Sequence, residues 1–155
     1  QIPELVDLAR SFPDTTIVLN HIGGLIAGTR SYVERRDEAI DQWRVSMAEL
    51  AKCQNVFVKL GGLGMPYLGY GFDRLDAPAS SEQLAAAWGP LFEYCIDKFG
   101  PGRCMFESNY PPDRETVSYP VLWNAFKRIA AGYSADEKRW LFHGTARKAY
   151  RLTLE

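Results

Sequence analysis

The chain has 155 residues, 46% hydrophobic and 24% charged, with 18 basic against 19 acidic side chains. That is a globular composition, long enough to bury one domain-sized core. The near balance of charge leaves no basic run to follow a nucleic-acid backbone or coat an anionic membrane, which excludes both as expected partners.

From the amino end, Ile2, Leu5, Val6, Leu8 and Ala9 form a helical stripe over 2–11, and Pro13-Asp14 ends it. The opening QIPELVDLAR carries acids where a signal peptide would be basic and then greasy. No apolar run approaches the roughly 20 residues that span a bilayer. Cys53, Cys95 and Cys104 are odd in number and embedded in apolar segments, which fits reduced, buried thiols. A cytoplasmic chain is the expectation.

TIVLN, 16–20, reads as a buried strand with apolar residues on both faces. After HIGGLIAGTR, the segment Tyr32 to Cys53 places Ile40, Trp43, Met47, Leu50 and Ala51 at helical spacing. VFVKL, 56–60, is a second strand, followed by the glycine-rich stretch GGLGMPYLGYGFDRLDAPA. Ser80 with Gln83 offers a capping box for a helix whose stripe is Leu84, Trp88, Leu91, Cys95 and Phe99, closed by Gly100-Pro101-Gly102. CMFES, 104–108, is the third strand. A helix holding Leu122, Phe126, Ile129 and Ala130 follows, then one capped by Ser134 and Glu137, then one over 146–152. Strand, loop and helix recur three times without hairpins, which predicts a single α/β domain over 1–155 with a parallel sheet.

Parallel α/β folds gather the loops that leave the carboxyl ends of strands on one rim, and sites are built there. The three strands end in Asn20 and His21, in Lys59, and in Glu107, Ser108 and Asn109. Gly23-Gly24 and Gly61-Gly62 with Gly64 follow two of them, serving either as turns or as room for close approach. His21 is open to three readings: metal ligand, general acid/base, or an imidazole satisfied by a backbone carbonyl. Lys59 reads as a rim cation or a snorkelling lysine. Glu107 alternates with Phe106 and Ser108 and is expected to face the helix layer, His143 to cap or pack, and Asp113, after Pro111-Pro112, to cap the next helix or return to the rim. No phosphate loop, GxSxG, HExxH or CxxC occurs, so nucleophilic Ser or Cys catalysis is not supported.

Three segments, FPDTTIVLNHIGG, NVFVKLGGLG, and RCMFESNYPPD with LFHGTARKAYRL, resemble the carboxyl-terminal half of the amidohydrolase-related family of metal-dependent or metal-derived hydrolases, which includes lactonases and decarboxylases. The resemblance covers nearly the whole chain. It implies part of an eight-stranded (β/α) TIM barrel, with the three strands here as the last three, and a missing front half holding a His-x-His pair. His21 takes the position of the family's strand-end histidine, a ligand or a proton-transfer and carbonyl-polarising group. Asn109 stands where many members have a water-activating aspartate, and an amide cannot accept that proton, so Asp113 becomes the replacement. Lys59, Ser108, Tyr67 and Tyr70 complete the implied substrate-binding set. The implied function is hydrolysis of a lactone or related cyclic ester, with a divalent metal such as zinc, or none. The rivals are a metal-dependent decarboxylase and a non-catalytic chain that binds a partner. The implied partners are a small-molecule substrate and either the missing half or a second copy, and the fragment alone is expected to be inactive.

Overall fold

The computed structural model describes residues 1–25, 33–68 and 70–153, Val33 and Tyr67 by backbone only. The sequence-predicted helix start at Tyr32 and the Tyr67 side chain lie outside them. Three strands, β1 (Ile17–Leu19), β2 (Val56–Leu60) and β3 (Cys104–Phe106), form a parallel sheet in the order β1-β2-β3. Ile17 lies level with Val56, and Val58 with Cys104. Helices α1 (Ile2–Ser11), α2 (Arg36–Leu50), α3 (Ser81–Phe99), α4 (Tyr119–Ile129), α5 (Ala135–Arg139) and α6 (Thr145–Ala149) alternate with or follow the strands.

Side chains alternate across a sheet, and the two faces differ. Val56, Val58, Leu60, Cys104 and Phe106 join the core under the helices with Met47, Leu50, Leu84, Trp88 and Phe92. Phe106 stacks on Phe126 with ring centres 4.7 Å apart and also meets Phe92 and Phe142. Phe57, Lys59, Met105 and Glu107 occupy the opposite face, with Lys59 level with Met105. In β1 every residue is half-buried rather than buried. This corrects the doubly covered strand expected from TIVLN: β1 has a neighbour on one side only, so its apolar residues keep solvent contact.

Local chemistry explains the boundaries. The Ser80 hydroxyl accepts from the Gln83 N–H at 3.3 Å, while the Gln83 side chain accepts from the Ser80 N–H at 2.8 Å, closing the capping box. Ser134 and Glu137 repeat the device at α5. Ser80→Ala removes one half of the first box and is expected to cost about 1 kcal/mol, measured by denaturant unfolding. Arg103 joins two layers: its guanidinium donates to the carbonyls of Phe99 (3.0 Å), Cys53 (2.8 Å) and Ala51 (2.8 Å), fixing the entry to β3 against the end of α2. The third strand stops at Phe106 instead of Ser108, although the Glu107 N–H still donates to the Leu60 carbonyl at 3.1 Å. No helix among the described residues is long and apolar enough to cross a membrane.

Candidate active site

The polar groups at the strand ends meet. Glu107 is the centre of the cluster, contrary to the expectation that it would face the helices. It lies two positions after Met105, so strand alternation returns it to the face that carries Lys59. Its Oε1 accepts from the His21 backbone N–H at 3.1 Å and pairs with the His21 ring Nδ1 at 2.6 Å; its Oε2 lies 3.4 Å from the Lys59 ammonium. The carboxylate fixes the proton on Nδ1 and leaves Nε2 as the ring atom available to a ligand or a proton. His21 and Lys59 keep about a quarter of their side-chain surface exposed, at 27% and 25%, against 13% for Glu107. The pair is therefore anchored from below and open from above.

The backbone is bent to place His21. Immediately after β1, His21 and Ile22 both sit in the left-handed region, at φ 52° and 48°, before Gly23 and Gly24 continue the turn. For a β-branched residue such as Ile22 this is a genuine outlier, and each such residue costs on the order of 1–3 kcal/mol. Burial of the Ile22 side chain, the Trp43 indole N–H donated to the Ile22 carbonyl at 2.8 Å, and the Glu107 bond to the His21 N–H hold it there. The glycines after β2 supply the space. A Cβ on Gly62, itself at φ 73°, would fall 2.3 Å from His21 Nδ1, and one on Gly61 would fall 2.2 Å from the Glu107 carbonyl oxygen. These two are positions of close approach, not plain turn residues.

A second pair lies beside the first. Asp113 is fully buried; its Oδ2 accepts from the Gly64 N–H at 3.2 Å and its Oδ1 from the Asn109 side-chain amide at 2.6 Å. It therefore points inward and does not cap α4 by its side chain, because both oxygens are already engaged. Asn109, at φ 49°, adopts a conformation that asparagine tolerates better than most residues. Ser108 is turned to its own loop, its hydroxyl accepting from the Tyr110 N–H at 3.3 Å. Tyr70 lies under the Arg36 guanidinium at 4.7 Å, with its ring against Phe72 and Trp88. The His143 residue is exposed and its side chain forms no hydrogen bond among the described residues, so the imidazole neither caps nor packs as expected.

The electrostatics follow from these contacts. The hydrogen bond to Glu107 raises the His21 pKa, outweighing partial burial. Burial pushes Glu107 up, but the His21 hydrogen bond and the two neighbouring cations overcome it, and its carboxyl titrates below the usual range. Burial lowers Lys59, yet the Glu107 charge and the Tyr150 hydroxyl leave it raised overall. Asp113 is raised: burial dominates, and the bonds from Asn109 and Gly64 only partly offset it. An imidazole and an ammonium both favoured in their charged forms, with one carboxyl shifted toward neutrality, make a candidate acid, a charge stabiliser and a candidate base.

As a metal centre the described residues do not suffice. His21 spends Nδ1 on Glu107, Asp113 spends both oxygens, and the Lys59 cation sits beside the remaining carboxylate. Among the described residues no group of three or more His, Cys, Asp or Glu is placed to hold an ion.

Parallel strands covered by helices on one face, with charged groups at their carboxyl ends on the other, are the architecture of part of a (β/α) barrel. The chain belongs to the amidohydrolase family, whose model matches residues 1–152. It is 38% identical over 152 residues to the uncharacterized protein y4mH of Sinorhizobium fredii, covering 98% of this chain and 44% of that protein. It is 30% identical over 154 residues to L-fucono-1,5-lactonase of Burkholderia multivorans, covering 98% and 48%. An amidohydrolase crystal structure from Burkholderia multivorans with bound HEPES superposes with a TM-score of 0.82 at 28% identity, covering 99% of this chain and 50% of that one. A further crystal structure of that amidohydrolase, with bound zinc, gives 0.81 at 27% identity and 50% coverage. The chain thus spans about half the length of the relatives it matches.

Proposed function

We propose that the chain is the carboxyl-terminal half of an amidohydrolase that opens a lactone or related cyclic ester, and that the other half of the mouth comes from a complementary half-barrel. The observation that carries this reading is the His21–Glu107–Lys59 cluster at the strand ends, held by two glycines that admit nothing larger. The likeness to a lactonase of twice the length supports the substrate class.

Lactone hydrolysis needs a base for water, positive charge for the carbonyl oxygen as it becomes an oxyanion, and a proton for the leaving alkoxide. Lys59 and the protonated His21 supply the charge, and His21 Nε2 supplies the proton. Asp113 takes the proton from water. In this half its cover is the Asn109 amide and the Gly64 backbone, so the step requires Asn109 to turn from Asp113 to the substrate. No step is routed through a metal. The zinc bound to the Burkholderia relative makes metal assistance by donors of the complementary half the natural comparison, tested by zinc titration of the assembled enzyme.

Asp113→Asn in the assembled enzyme is expected to lower kcat by about 10²–10⁴-fold, and to lower the melting midpoint as well, because one of its two buried N–H partners then loses its acceptor. Asn109→Ala is expected to act mainly on KM. Hydrolysis rates against lactone concentration check both; an Asp113→Asn enzyme of parental kcat would remove the base from the scheme.

A further inference from the structure

The segment RWLFHGTARKAYRL lends only Tyr150, beside Lys59, to the chemistry above, yet it concentrates charge on one concave surface. Between α5 and α6 the helix widens into a five-residue π turn, Trp140–Gly144, a form frequent at functional sites. A Cβ on Gly144 would fall 2.8 Å from the Trp140 ring, so the glycine lets the indole lie flat along the helix. At the other end Arg151 takes the left-handed conformation usual for glycine, at φ 54°, and the Leu152 N–H closes the helix on the Arg147 carbonyl at 3.0 Å. The result is a groove of about 530 Å³ whose lining includes Trp140 and Leu152 together with Arg139, Arg147, Lys148 and Arg151.

Cations near a helix carboxyl end complement its dipole, and as a flat solvated face they would need no other explanation. This surface differs in three respects. It is concave, an indole lines it, and among the described residues no carboxylate does. Arg139 is paired with Asp136 at 3.1 Å, but among the described residues Arg147, Lys148 and Arg151 form no ion pair. The Lys148 ammonium lies 5.6 Å over the Phe57 ring, and the Arg147 Nε donates to the Leu152 carbonyl at 3.4 Å, so both cations are held in place with no counter-charge among the described residues. Guanidinium forks and an ammonium around an aromatic plane suit a planar group carrying a multivalent oxyanion.

We propose that this groove binds a small phosphate-bearing molecule, with the oxyanion among Arg147, Lys148 and Arg151 and a planar ring on Trp140. The site is separate from the catalytic proposal and stands without it. The test is calorimetry with pyrophosphate and with ADP, together with backbone amide shifts of the chain as it is. Saturable binding is expected, with shifts confined to residues 139–152 and ADP tighter than pyrophosphate. Arg147→Gln with Arg151→Gln is expected to weaken binding by about tenfold or more. If that pair disturbs the helix end, Lys148→Gln, whose backbone bonds are untouched, is expected to weaken it by about threefold. Absence of saturable binding, shifts spread over all surface lysines, or affinities unchanged in both variants would overturn the site. Equal affinity for the two probes would overturn the ring on Trp140.

Discussion

Glu107→Gln is expected to destabilise the chain by about 2 kcal/mol near pH 6 and to cost the assembled enzyme most of its activity. Removing one member of a buried ion pair typically costs about 3–5 kcal/mol. The smaller figure applies because the two partners are a quarter exposed and regain water. The effect carries a pH signature. His21 has a folded pKa raised by Glu107, so its contribution is fully present below the unfolded value of about 6.5 and is lost as pH rises through the raised one. The Glu107 pKa is depressed, so its contribution is present above about 4.3 and is lost as pH falls through the lowered value. The difference between parent and variant should therefore peak between these limits and narrow on either side. Urea unfolding at several pH values measures it; a difference that does not vary with pH would contradict the pairing.

The largest single effect is expected at Gly62. An alanine there meets His21 Nδ1 at 2.3 Å while holding a positive φ, so either the imidazole leaves Glu107 or β2 shifts. Overpacking and the left-handed conformation together are expected to cost about 3–4 kcal/mol. Gly61→Ala should be comparable, because the obstacle is the Glu107 backbone and not a side chain that can rotate away. Thermal melts of the two variants check this, and a loss below about 0.5 kcal/mol in either would mean that the strand ends are not packed as described.

The secondary structure was largely legible because the signals are local. Periodicity placed α1, α2 and α3 within a few residues, and Ser80–Gln83 and Ser134–Glu137 announced their helices by side-chain chemistry alone. The site was harder. Glu107 carried a usable signal: Phe106 is a core aromatic, so its neighbour must face the other way, toward Lys59. Shortness of the strand weakened that parity argument, since β3 ends before the residue in question. Asp113 carried no such signal. Its inward turn depends on Asn109 at positive φ and on the Gly64 N–H, 49 positions away, and a sequence does not display either. The half-exposed β1 differs from the buried strand that TIVLN predicts for a related reason: composition records what a strand can bury, not whether a neighbour is there to bury it.

The polar cluster and the half-length match together make one claim, that these strand ends form half of an amidohydrolase mouth. Its most direct test is a chimaera in which the amino-terminal half of the Burkholderia multivorans L-fucono-1,5-lactonase is joined ahead of Gln1 and assayed on a 1,5-lactone. The account predicts a folded chimaera that hydrolyses the lactone and loses that activity by about 10²-fold or more with Asp113→Asn or His21→Gln. A folded chimaera that turns over no lactone, or one whose rate is indifferent to both substitutions, would contradict it.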